Sequence, residues 1–171
     1  SMIAIIGAGP AGSYLAYLLA RQGKEVTLIE EHGQIGSPVQ CTGIVTASIE
    51  KFFKLPNKVI ANKCSKVIVF SKNNKIEANT GEIVMWRNRF DEFVAEMAEK
   101  QGVKILLNNQ FIGFNGKSSI KLKNKKTNGI KEIKTDVIVG ADGPSSTVAK
   151  CAGFDSIIDF YIGMQAKVKL K

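Results

Sequence analysis

Histidine and cysteine are scarce in this 171-residue sequence, which holds His32 alone and only Cys41, Cys64 and Cys151. No two cysteines form a C-x-x-C pair, so a structural zinc site and a disulfide framework are excluded and no metal is expected. Scattered cysteines of this kind fit a reducing, cytoplasmic compartment. Also missing is any run of about 18 apolar residues, the length a membrane-crossing helix needs. The N-terminus lacks the basic start, apolar stretch and small-residue cleavage site of a signal peptide. Ser1 ahead of Met2 reads as a residue left by tag removal.

What is present is globular. Apolar residues make up 44% and charged residues 23%. That mix excludes a disordered chain, a collagen and a coiled-coil rod. Lys and Arg number 24 against 15 Asp and Glu, a formal net charge of +9. The excess is unevenly placed. Residues 1–50 carry Arg21 and Lys24 against Glu25, Glu30, Glu31 and Glu50, whereas 51–75 and 117–134 hold seven lysines each. Such clusters are either solvated strand faces and turns or a surface that meets anionic lipid. No aromatic residue interleaves with the 117–134 lysines, which argues against stacking on single-stranded nucleic acid, and no nucleic-acid partner is expected.

Hydrophobic periodicity orders the chain. Met2 to Ile6 is a continuous apolar run, as in a strand buried on both faces of a parallel sheet. A helix is expected from Ala11 to Gln22, ended by Gly23, followed by a second buried strand, Val26 to Ile29. Strand, glycine turn, helix, strand is a βαβ unit. Residues 31–50 are rich in Gly, Pro, Ser and Thr and read as a functional loop. Short strands follow between 58 and 86, turning at Lys72-Asn73-Asn74-Lys75. Phe90, Phe93, Val94, Met97 and Ala98 predict an amphipathic helix from Arg89 to Gln101. Val103 to Leu107 is a further strand. Phe111 to Phe114, Ile120 to Leu122 and Ile130 to Ile133 predict a small antiparallel meander, with a turn at Asn128-Gly129. Val137-Ile138-Val139 returns to the buried parallel type.

The expected fold class is therefore α/β: a Rossmann-like dinucleotide-binding domain over 1–156, with a parallel sheet and a small antiparallel meander. The 58–86 strands are candidates for the sheet of a second domain. Ile162, Met164, Ala166, Val168 and Leu170 alternate with polar residues and glycine. That pattern predicts that 157–171 begins a substrate domain whose remainder is missing, with its strand disordered, folded back on the earlier strands or paired across a dimer.

Gly7-Ala8-Gly9-Pro10-Ala11-Gly12 matches G-x-G-x-x-G in its required setting, after a buried strand and opening a helix. Gly7 allows the tight turn, Gly9 lets backbone approach a pyrophosphate, and Gly12 lets the helix pack on the sheet. Pro10 suits the first helical turn, where its missing N–H is no loss. The phosphates are expected at the helix N-terminus, around Gly7, Gly9, Pro10, Ala11 and Gly12. Glu30 lies 18 residues beyond Gly12, where an acid accepts hydrogen bonds from ribose hydroxyls. A 2′-phosphate would be repelled there, so NADP is disfavoured at this site. The alternative is a glycine-rich turn with an incidental glutamate.

Four stretches together carry a resemblance. They are Gly7–Gly12 with Glu30, Pro38-Val39-Gln40-Cys41-Thr42-Gly43, Arg87-Asn88-Arg89-Phe90-Asp91, and Val139-Gly140-Ala141-Asp142-Gly143-Pro144-Ser145-Ser146. In order and spacing the sequence resembles the geranylgeranyl reductase family, within the wider group of FAD-dependent reductases and aromatic hydroxylases. The resemblance implies FAD. It implies that Arg87 contacts the FAD phosphate and ribose region, as a guanidinium fork suits a diphosphate. Otherwise Arg87 is a surface arginine preceding a helix. It implies a backbone contact to adenine at Phe111, and a second FAD motif at Asp142 and Gly143 near ribose and pyrophosphate. Asp142 with Ser145 or Ser146 can also simply cap a short helix, and both roles can hold together.

Cys41 matches a cysteine beside the isoalloxazine ring, with backbone groups of Cys41, Thr42 and Ile44 approaching the flavin. Cys41 is the one candidate catalytic residue, either shaping the pocket or acting in redox chemistry; otherwise it is a small buried residue. His32 reads as a solvated side chain. Such reductases are about twice this length or more, with a further Gly-Asp motif and a lipid-binding domain that this sequence lacks. The isolated stretch is thus expected to hold FAD weakly or not at all.

The resemblance further implies reduction of C=C bonds of prenyl lipids by hydride from reduced FAD. The electron donor would be NAD(P)H or a redox protein. Localisation would be cytoplasmic, with peripheral contact at the inner membrane surface. The competing readings are an FAD-dependent aromatic hydroxylase and a non-catalytic dinucleotide-binding module.

Overall fold

Strand β1 (Met2–Ile6) is apolar at every position because both its faces are covered. The computed structural model, which describes residues 1–155, 157–164 and 166, places it between β2 (Glu25–Ile29) and β10 (Val137–Gly140). The parallel sheet is four-stranded, in the order β10-β1-β2-β6, with β6 at Lys104–Leu106. Ile5 stands opposite Leu28 on one side and Val139 on the other. Helix α1 (Pro10–Arg21) makes the crossover from β1 to β2.

Alternation along β1 decides what each face meets. Ala4 and Ile6 join Ile29, Phe111, Ile120 and Leu122 beneath an antiparallel meander. The meander is β7 (Asn109–Phe114), β8 (Ser119–Asn124) and β9 (Ile130–Lys134). Ile5, with Val26 and Leu28, packs on the other face against Ala16 of α1 and Ala98 of α2 (Arg87–Glu99). Ile5, Leu28, Ile29, Ile120 and Leu122 are at or near full burial. Each such side chain contributes about 1.5–3 kcal/mol. The result is a meander, a parallel sheet and a helical layer stacked in that order.

A second antiparallel sheet, three-stranded in the order β3-β5-β4, stands apart from the parallel one. Its strands are β3 (Ile44–Thr46), β4 (Ile60–Phe70) and β5 (Lys75–Met85). Its base packs on α2 through Ile83 and Met85, beside Phe53, Phe90 and Val94. The Phe53 ring meets Tyr14 of α1 at 4.8 Å and Phe90 of α2 edge-on at 5.5 Å, which fixes the two helices against each other.

Several expectations shift in detail. Helix α2 begins at Arg87 rather than Arg89, so Arg87 and Asn88 are helical. Residues 31–50 are mostly irregular, as a loop should be, but end in β3 and a 3-10 turn at Ala47–Lys51. The Asn128-Gly129 turn is present, with Asn128 at φ 58°. A short helix, α3 (Thr147–Cys151), follows β10. The strand expected over 162–170 is not formed at Ile162–Met164, where Ile162 and Met164 are exposed. Alternation makes a strand only when a neighbour pairs with it, and none does there among the described residues. Positions 165 and 167–171 lie outside the described residues. No helix among the described residues is long and apolar enough to cross a membrane.

Candidate functional site

A cavity of about 590 Å³ opens at the carboxyl ends of β1, β2 and β10, where Gly7, Glu30 and Asp142 follow their strands. This is the crevice in which open parallel sheets bind ligands, and the size lies within the usual range of about 300–1,000 Å³.

The glycine turn forms one wall. Gly7 adopts φ +101° and donates its N–H to Ile29 O at 2.8 Å. A Cβ on Gly7 would lie 2.3 Å from Ala141 O, and one on Gly12 would lie 2.0 Å from Gly7 O. Both positions must therefore be glycine for β1, α1 and β10 to meet. Gly9 is different, since a Cβ there would meet nothing within 4 Å. Its bare side belongs to the ligand space. Gly9 caps α1 and Pro10 takes the first helical turn. The open N–H groups of this helix end and its dipole favour an anion.

Glu30 is tied into the same turn. Its Oε2 accepts the Ala8 N–H at 2.9 Å, and its Oε1 accepts the His32 N–H at 2.9 Å. The His32 Nδ1 lies 2.6 Å from the same Oε1. His32 is thus a partner of Glu30 at the cavity edge, not merely a solvated side chain.

Asp142 faces the cavity from the far side. Its Oδ2 accepts the N–H groups of Thr147 at 2.8 Å and Val148 at 3.1 Å, and its Oδ1 accepts the Ser146 hydroxyl at 2.6 Å. Ser146 Oγ accepts the Ala149 N–H at 2.9 Å. Asp142 and Ser146 together cap α3, so the structural role foreseen for this turn is present.

Arg87 reaches the cavity from the start of α2, paired with Asp91. Its Nε donates to Oδ1 at 3.1 Å and its Nη2 to Oδ2 at 3.2 Å. Burial pushes the Asp91 carboxyl above its ordinary range, while the Arg87 charge and hydrogen bonds pull it down and the Glu92 charge adds to the rise.

A family described as "FAD binding domain" matches residues 1–167. The chain belongs to this FAD-binding family. Its cofactor is FAD. An uncharacterized protein in the nifH2 5′ region of Methanosarcina barkeri is 30% identical over 164 residues, covering 88% of this chain and 87% of its own length. Digeranylgeranylglycerophospholipid reductase 1 of Methanothermobacter thermautotrophicus is 32% identical over 165 residues, covering 90% of this chain and 42% of the reductase. The crystal structure of a geranylgeranyl bacteriochlorophyll reductase-like protein from Thermoplasma acidophilum superposes with a TM-score of 0.79 at 26% identity, over 94% of this chain and 44% of that one. The chain thus spans less than half the length of the reductases it matches.

This FAD-binding domain brings Gly7, Gly9, Pro10, Glu30, Cys41, Arg87, Phe111, Asp142 and Gly143 to one cavity. Cys41 is exposed there. Ala11, Gly12, Thr42 and Ile44 do not line it: Gly12 packs behind the turn, and Ile44 is held in β3 against Val84. His32 and Asp91 line the cavity and were given no role in the site from sequence. For Asp91 the signal was there, since Arg87 and Asp91 are spaced i, i+4 once α2 is started at Arg87.

Proposed function

We propose that this chain is the FAD-binding portion of a flavin-dependent reductase that saturates C=C bonds of prenyl lipids. The observation that carries the reading is the 32% identity to a digeranylgeranylglycerophospholipid reductase over 90% of this chain.

The residues present fit FAD. The bare side of Gly9 and the N-terminus of α1 would receive the diphosphate, with Arg87 as its cation. Glu30 would accept the ribose hydroxyls while keeping the Ala8 N–H. The backbone at Phe111 would meet adenine. Asp142 and Gly143 would border the ribose and pyrophosphate from the α3 side, and Cys41 would lie toward the flavin. The bound cofactor supplies hydride-transfer chemistry; the chain positions it and limits water. In the reaction, a hydride and a proton add across the double bond. The reading implies a prenyl-lipid substrate, an electron donor (NAD(P)H or a redox protein) and contact with a membrane surface.

The test is to load the full-length protein with FAD, reduce it, and supply a geranylgeranyl lipid. Mass gain of two hydrogens per double bond is expected. Oxygen uptake driven by an aromatic substrate, with no lipid reduction, would establish the hydroxylase instead.

A further inference from the structure

We propose that Asp91 is a positioning residue for the cofactor, acting through Arg87 by holding its guanidinium in the geometry that meets the diphosphate. The inference rests on the reading of Arg87 as the diphosphate ligand.

The arginine is fixed at both ends. Its stem runs so close to Gly43 that a Cβ there would lie 3.0 Å from Arg87 Cγ. Its head is gripped by Asp91 through Nε and Nη2, with side chains only 18% and 13% exposed. Nη1 is the nitrogen this pairing does not use, and both residues line the cavity. A long side chain immobilised before binding loses less freedom when the anion arrives.

The pair makes little sense as a stabilising device. Arg87 is the first residue of α2, where a positive charge opposes the helix dipole. A cation four residues ahead of its anion is also the less favourable order on a helix. Burial, with the Glu92 charge, raises the Asp91 carboxyl despite the adjoining guanidinium. Perturbed groups of this kind cluster where function requires them. Here the requirement is a fixed cation facing the anion site at the α1 N-terminus.

The experiment is a double-mutant cycle on the full chain, read by FAD titration and thermal unfolding without FAD. Arg87→Ala is expected to weaken FAD binding. Asp91→Asn, close to isosteric, is expected to weaken it by about tenfold, within the range for contacting residues. Its unfolding midpoint at neutral pH should be unchanged or raised. The double variant should bind no more weakly than Arg87→Ala alone. Asp91→Asn with wild-type FAD affinity overturns the inference. So does an equal loss from Asp91→Asn in both Arg87 backgrounds, or a collapse of the unfolding midpoint. If Arg87→Ala itself binds FAD as wild type does, the diphosphate reading of Arg87 fails and takes the inference with it.

Discussion

Glu30 Oε2 accepts the backbone N–H of Ala8 at 2.9 Å, tying the end of β2 to the middle of the glycine turn. The acid therefore shapes the turn as well as facing the ligand space. Glu30→Ala should weaken FAD binding by about 1.5–3 kcal/mol, the usual cost of losing hydrogen bonds to a charged group. Titration of wild type and variant with FAD checks this, and equal affinities would remove Glu30 from the site.

Gly9 and Gly12 should respond oppositely to a side chain. A Cβ at Gly9 meets no protein atom within 4 Å, so Gly9→Val is expected to fold with a normal unfolding midpoint yet purify colourless. Gly12→Val must displace the Gly7 carbonyl and should fail to fold stably. A yellow, FAD-loaded Gly9→Val protein would show that the diphosphate does not lie against this turn.

The cap on α3 has a measurable weight. Ser146 Oγ accepts the Ala149 N–H, so Ser146→Ala should cost about 0.5–2 kcal/mol of stability. Asp142→Ala removes two further N–H acceptor contacts and should cost at least as much. Denaturant titration of both variants gives the comparison; no loss in either would mean that α3 does not depend on these caps.

Asp91 gives stability a pH dependence of definite sign. Its carboxyl is raised above its ordinary value of 3.8, chiefly by burial. The folded chain then binds the proton more tightly than the unfolded chain does. The contribution is complete below the unfolded value and lost as pH rises through the folded one. Between those two values, wild type should lose stability with rising pH relative to Asp91→Asn. Parallel unfolding curves for the two proteins across the window would contradict this.

Of the three cysteines, Cys41 alone lines the cavity, while Cys151 is exposed elsewhere. FAD should therefore slow alkylation of Cys41 and leave Cys151 unaffected. Peptide mass spectrometry after a timed exposure to iodoacetamide reads both rates in one sample, and equal protection or none would place Cys41 away from the cofactor.

Local pattern was enough for much of this protein. The apolar run before Gly7, the glycine spacing and the acid after Leu28-Ile29 define a βαβ unit because each is a short-range requirement of backbone geometry and strand burial. The meander was legible from alternation and its turn residues. The strand expected at 162–170 shows the limit, since alternation says which face is apolar but not whether a partner strand exists. Where α2 starts was also beyond reach: Arg87-Asn88 carries no side-chain cap or apolar period, and contact with β5 and the Gly43 turn sets it. Only the tertiary structure brought Asp91 and His32 to the cavity and showed that Gly9 alone of the turn's three glycines faces open space. Those facts depend on where distant segments cross, and the packing of β1 between β2 and β10, with α2 laid across α1, decides that.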